Sequence, residues 1–151
     1  MKNAWKSMVV AVVLSCGSAS AGQPDATTVQ VYKSPTCGCC SKWVDHMRAS
    51  KFTVKATDTD DMASVKTRYK VPKSAESCHT SVIGGYVVEG HVPAADIRRM
   101  LKERPAIVGL AAPGMPVGSP GMEVPGQKPD AYDVIAFDKA GKSSVFASHN
   151  R

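Results

Sequence analysis

Apolar and polar positions along the chain change period repeatedly, and the changes mark its elements. Val29-Gln30-Val31-Tyr32 alternates with period two, which predicts a strand over about 29–33. Cys40, Trp43, Val44 and Met47 then recur at i, i+3, i+4 and i+7, the spacing of one helix face, which predicts a helix over about 39–50. Phe52 to Thr57 alternates again and reads as a second strand. Asp58 to Asp61 supplies capping carboxylates for a helix through Met62, Val65 and Tyr69, ended by Val71-Pro72. After a polar loop from Lys73 to Ser77, Thr80–Ile83 and Tyr86–Glu89 flank Gly84-Gly85 as a hairpin. Pro93 opens a third helix with Ala94, Ile97, Met100 and Leu101 on one face, and Pro105 stops it. Tyr132–Phe137 and Ser143–Ala147 read as a last hairpin across Asp138-Lys139-Ala140-Gly141.

The first 21 residues follow another pattern. Lys2 and Lys6 precede a short apolar run from Met8 to Leu14, and Ala19-Ser20-Ala21 has the form of an export cleavage site. The expectation is a signal peptide over 1–21, a mature chain of one domain over 22–151 starting at Gly22, and a periplasmic location. The apolar run is too short for a permanent membrane anchor. Val13-Leu14-Ser15-Cys16 loosely matches a lipoprotein cleavage box, so lipidation at Cys16 is the rival reading.

The chain has 151 residues, 43% hydrophobic, enough for one domain with a core. Its net charge of +6 falls to +4, with 17 basic against 13 acidic residues, once Lys2 and Lys6 are set aside. The basic residues are scattered, with no stripe interleaved with aromatics, which argues against nucleic acid as a partner.

The chemistry concentrates between the first strand and helix. Cys37-Gly38-Cys39-Cys40 puts three thiols in four positions at the start of a helix, where free N–H groups and the helix dipole favour thiolates. Cys78-His79 precedes the first hairpin. With Cys16 removed on export, four cysteines remain: Cys37, Cys39, Cys40 and Cys78. Cys37 and Cys40 have the C-x-x-C redox spacing, but a bond there closes a tiny loop and staples little. Soft thiolates favour Cu(I), zinc or iron–sulfur clusters. Crowded sulfurs that can each bridge two soft cations suit several Cu(I) ions better than one zinc. Metal-free thiol–disulfide chemistry, with Cys37 attacking and Cys40 resolving, is the alternative.

Other metal-capable residues carry weaker signals. His79 adjoins Cys78 and is a candidate ligand, although in a strand the two side chains would point to opposite faces. His46 lies two helical turns beyond Cys39 and reads as solvated; His91 and His149 read as exposed loop or tail residues. Met47, Met62 and Met100 fall on apolar faces and read as core. Met115 and Met122 sit in a Pro/Gly loop, either packing on the core or contacting copper.

The β-α-β-α-β-β-α order, with Cys-x-x-Cys after the first strand, resembles a thioredoxin-like domain over about residues 29–104. That resemblance implies an α/β fold, with the Met/Pro/Gly loop and terminal hairpin as a C-terminal extension. It also implies that Cys78-His79-Thr80 stands where redox members carry a cis-proline. Cys-Gly-Cys-Cys, Ser77-Cys78-His79 and the loop with Pro113-Gly114-Met115 and Pro120-Gly121-Met122 together resemble the exported copper-resistance proteins of CopG type. The resemblance implies copper handling in the periplasm, with copper ions and other periplasmic copper-handling proteins as partners. It assigns the metal to Cys37, Cys39, Cys40 and Cys78, with His79 beside them.

Overall fold

A computed structural model describes residues 27–151. The expected signal peptide, its cleavage site and Cys16 lie outside the described residues. β1 (Thr28–Lys33), α1 (Gly38–Ala49), β2 (Thr53–Asp58), α2 (Met62–Arg68), β3 (Thr80–Ile83), β4 (Tyr86–Gly90) and α3 (Ala94–Glu103) follow the β-α-β-α-β-β-α order. β5 (Gly109–Ala112), β6 (Tyr132–Phe137) and β7 (Ser143–His149) complete the chain. All seven strands join in one sheet, in the order β2-β1-β3-β4-β5-β6-β7. β2 runs parallel to β1, and β5 parallel to β4; the remaining pairs are antiparallel.

Neighbouring strand residues point to opposite faces, so the two hydrophobic clusters lie on opposite sides of the sheet. Val29, Val31, Val88, Leu110 and Ala136 face α1 and α3, against Trp43, Val44, Met47, Ile97 and Met100. Val87, Ala111 and Phe137 form a smaller cluster on the other face with Val71 and Ala75. The result is helix, sheet, and a thinner third layer. The buried residues of α1 are Cys40, Trp43, Val44 and Met47, the stripe that its spacing predicts.

Four local readings change. Gly109–Ala112, for which the periodicity predicts no element, is a fully buried strand. Its continuous apolar run lacks alternation because both of its faces are covered, as is usual beside a parallel neighbour. Gly109 is required there, since a Cβ would collide with the Val87 carbonyl. The terminal hairpin extends the main sheet, with β5 tying β6 into it, and β7 runs past Ala147 to His149. The polar loop after α2 contains a 3₁₀ turn, Lys73–Ala75, that buries Ala75. Met62 is only half-buried, while Lys66 on the same helix is buried.

Candidate metal centre

Cys37 is the N-cap of α1, and its sulfur accepts the Cys40 N–H at 3.3 Å. That position gives it the first-turn donors that stabilise negative charge. Cys37 and Cys40 are joined as a disulfide, while Cys39 and Cys78 are free. Cys39 Sγ lies 3.5 Å from Cys37 Sγ. Cys78 comes from a different segment, the turn before β3, and the sulfurs of Cys37, Cys39, Cys40 and Cys78 all lie within 4.8 Å of one another. Burial, and then the neighbouring Cys39, push the Cys78 thiol up to about 11.

The Cys78 turn is held from below by a buried charge. Glu89 on β4 is fully buried and forms an ion pair with Lys66 of α2. It accepts the Ser77 N–H at 2.7 Å and the Thr80 hydroxyl at 2.6 Å. Burial pushes its carboxyl above the usual range, against the pull of Lys66, Thr80 and Ser77. The Ser77 hydroxyl donates to the Gly114 carbonyl, which latches the Pro/Gly/Met loop onto the same turn.

The histidines depart furthest from expectation. Cys78 and His79 precede β3 rather than lying within it, so strand alternation does not separate them: His79 Nδ1 is 3.5 Å from Cys78 Sγ. His79 is fully buried with its ring 4.5 Å from that of Trp43. His91, read as exposed, is also fully buried, with Nε2 3.0 Å from Cys78 Sγ. Its Nδ1 donates to the Pro120 carbonyl at 2.7 Å. Burial lowers the pKa of both rings, which keeps them neutral and able to ligate.

His46 is half-buried rather than solvated, because Nε2 accepts the Ala94 N–H at the start of α3. His149 lies in β7, paired with Asp96 at 2.7 Å and stacked on Tyr132. Neither joins the converging groups of possible ligands. Met115 is 57% exposed, which excludes it as core packing, and Met122 is half-buried. The loop between them packs tightly on α1: a Cβ at Gly121 would lie 2.8 Å from both the Cys39 carbonyl and the Trp43 nitrogen.

His91 was within reach of the sequence. The hairpin register pairs Thr80 with Glu89 and Ile83 with Tyr86, so one more step sets His79 against Gly90 and the next sets Cys78 against His91. A Gly-Gly turn between two strands carried that register in advance. Lys66 gave no such signal, since its burial depends on Glu89 arriving from β4.

An α/β fold with four cysteine sulfurs and two neutral imidazoles gathered at one helix start defines a protein equipped to bind a soft metal ion. Two solved structures, described as copper resistance protein CopG in its form 1 and form 2, resemble it closely. Each is 47% identical with a TM-score of 0.77 over 83% of this chain, covering 98% of form 1 and 99% of form 2. The chain belongs to the CopG family of copper resistance proteins. A family model described as a protein of unknown function, DUF411, matches residues 75–122, the segment from the 3₁₀ turn through Cys78, His91 and the Met loop. No curated protein matches the chain.

Proposed function

We propose that this protein is a periplasmic copper-binding protein of copper resistance, exported by residues 1–21. It holds more than one Cu(I) as a thiolate-bridged cluster on Cys37, Cys39, Cys40 and Cys78, with His79 alongside. The observation that carries this reading is the convergence of four sulfurs within 4.8 Å from two separate segments, in a chain of the copper-resistance family.

The donor set fits the ion. Thiolates are soft and select Cu(I). Two thiolates about 4 Å apart repel by about 4 kcal/mol at an effective dielectric near 20. One Cu(I) among four thiolates leaves a net charge of about −3, and further cations relieve the repulsion that remains. Loading all four sulfurs requires the Cys37–Cys40 disulfide to be reduced first, with two electrons and two protons restoring two thiols. Two Cu(I) ions that each give up one electron to become Cu(II) supply the two electrons that, with two protons, open the disulfide to two thiols, so the same couple offers a route for cycling copper.

Anaerobic Cu(I) titration of the reduced protein, read by native mass spectrometry, tests the proposal. The expected endpoint exceeds one copper per chain, reached cooperatively. Any single Cys→Ser change among the four should lower capacity by more than one ion. An endpoint at one copper, with Cys39→Ser still binding one, refutes the cluster.

A second reading draws on the disulfide itself. Cys37 and Cys40 are bonded at a helix N-cap, the arrangement of a thiol–disulfide oxidoreductase. Vigorous insulin reduction by the unaltered protein, with no copper uptake, would favour it.

A further inference from the structure

Tyr32 and Tyr69 meet on the face of the sheet away from α1. Val29 and Val31 of β1 pack toward α1, so alternation turns Tyr32 to the other side. There α2 ends, with Tyr69 as its C-cap. The Tyr69 hydroxyl donates to the Tyr32 hydroxyl at 3.0 Å. The ring centres are 5.6 Å apart and the ring planes are inclined by 37°. Two phenols meeting end to end at that hydroxyl separation would hold their centres farther apart, so these rings lie partly side by side. The ring carbons that flank the hydroxyls are thereby brought together. Both residues are half-buried, within reach of a small solute. The other two tyrosines meet different groups: Tyr86 donates to the Pro105 carbonyl, and Tyr132 stacks on His149.

This pair is suited to one-electron oxidation. A phenol loses an electron more readily when its proton can pass to an acceptor at the same time, and the Tyr69 hydroxyl already points at one. The hydrogen bond to Tyr32, and then burial, raise the Tyr69 pKa above its ordinary value, so the hydroxyl keeps its proton at neutral pH. The pair is also close to the metal centre. Tyr32 lies opposite Thr80 in the β1–β3 register, and Thr80 is two positions after Cys78. Two residues along a strand and one strand across put the Tyr32 backbone about 8 Å from that of Cys78.

We propose that Tyr32 and Tyr69 are an oxidative modification site, which peroxide converts into a single dityrosine link when the metal centre is loaded. Each phenol gives up one electron and one proton. The two phenoxyl radicals form one carbon–carbon bond between the ring carbons beside their oxygens, and the hydrogen on each of those carbons then moves to its oxygen. The chain thus loses two hydrogen atoms. One hydrogen peroxide takes both, its O–O bond breaks, and it leaves as two waters. The bound metal is the catalyst, passing the electrons one at a time; that it is copper rests on the reading above. The link would fasten the end of α2 to β1. α2 carries Lys66, the partner of Glu89 beneath the Cys78 turn, so oxidation would lock in place an element that supports the metal centre.

The test treats the copper-loaded protein with hydrogen peroxide in small steps and measures copper content on the same sample. The expected product shows blue dityrosine fluorescence. It yields one linked peptide pair, containing Tyr32 and Tyr69, lighter by two hydrogens than the sum of its parts. It runs as a single chain on denaturing electrophoresis. Tyr32→Phe and Tyr69→Phe, each shown to fold by circular dichroism, should lose the product, and Tyr132→Phe should keep it. The metal-free protein given the same peroxide should stay unlinked. The proposal is overturned if the folded, copper-loaded protein forms no link, if the link joins two chains, if it survives either of the first two changes, or if the metal-free protein forms it equally well. A chain that takes up no copper refutes the copper reading instead. A haem peroxidase with hydrogen peroxide then supplies the one-electron oxidant, and the site stands on a Tyr32–Tyr69 link or falls on its absence.

Discussion

Replacing Lys66 with methionine removes the cation from a buried ion pair while keeping a long, unbranched helical side chain. The Lys66 side chain is 10% exposed and that of Glu89 is fully buried. After the change, Glu89 keeps only the Ser77 N–H and the Thr80 hydroxyl. Removing one partner of such a pair costs about 3–5 kcal/mol, a large share of the roughly 5–15 kcal/mol that holds an ordinary domain together. The loss should depend on pH, and its sign follows from the Glu89 carboxyl. Burial raises that group above the ordinary value, and Lys66 is foremost among the groups that oppose the rise. Without Lys66 the carboxyl rises further. A group raised in the fold contributes stability below its unfolded value and loses it as pH climbs, because the unfolded chain releases the proton first. The Lys66→Met deficit should therefore be small at pH values low enough to keep Glu89 protonated in both folds, and grow by about 1.4 kcal/mol per pH unit once the parent's own raised Glu89 carboxyl has ionised, until Glu89 also ionises in the fold of the variant. Urea unfolding of the metal-free, disulfide-closed protein, followed by far-UV circular dichroism across this range, measures it. Adding Glu89→Gln should recover about 1–3 kcal/mol near pH 7, because the amide needs no counter-charge. A variant as stable as the parent near pH 7, or a deficit equal at both ends of the range, refutes the reasoning.

Three further outcomes are expected. Gly121→Ala places a Cβ at φ +86° against the start of α1 and should cost more than about 1–2 kcal/mol, whereas Gly114→Ala, with open space around it, should cost only the backbone strain; equal melting temperatures for the two would refute the close-packed loop. Cys78 in the metal-free protein should react with iodoacetamide at a rate that climbs with pH toward about 11, followed by peptide mass analysis; a rate already at its plateau by the ordinary thiol value contradicts the buried, Cys39-opposed thiol. The exported protein should begin at Gly22 and be soluble in the periplasmic fraction, and an intact mass showing a diacylated Cys16 would overturn that expectation.

The sequence by itself settled what local spacing settles. Alternation placed β1, β2 and the β3–β4 hairpin within a residue or two, and the i, i+3, i+4, i+7 stripe named the buried face of α1. Three thiols within four positions at a helix start made the metal-capable site legible, since those residues are neighbours in the chain. Other features belong to long-range pairing. β5 carries no alternation because β4 and β6 flank it while apolar layers cover both its faces, and only those partners turn a Gly/Ala-rich run into a strand. Lys66 sits on a short helix where a lysine would ordinarily be solvated; its burial is decided by Glu89, 23 positions away. His46 loses its solvation to the first turn of α3, and His149 to Asp96. His91 lies between these cases, because hairpin register, a local property, already sets it opposite Cys78. Its burial, and the carbonyl that orients it, come from Pro120, delivered by a loop 29 positions further along, so only the folded chain could turn an unremarkable histidine into a candidate ligand.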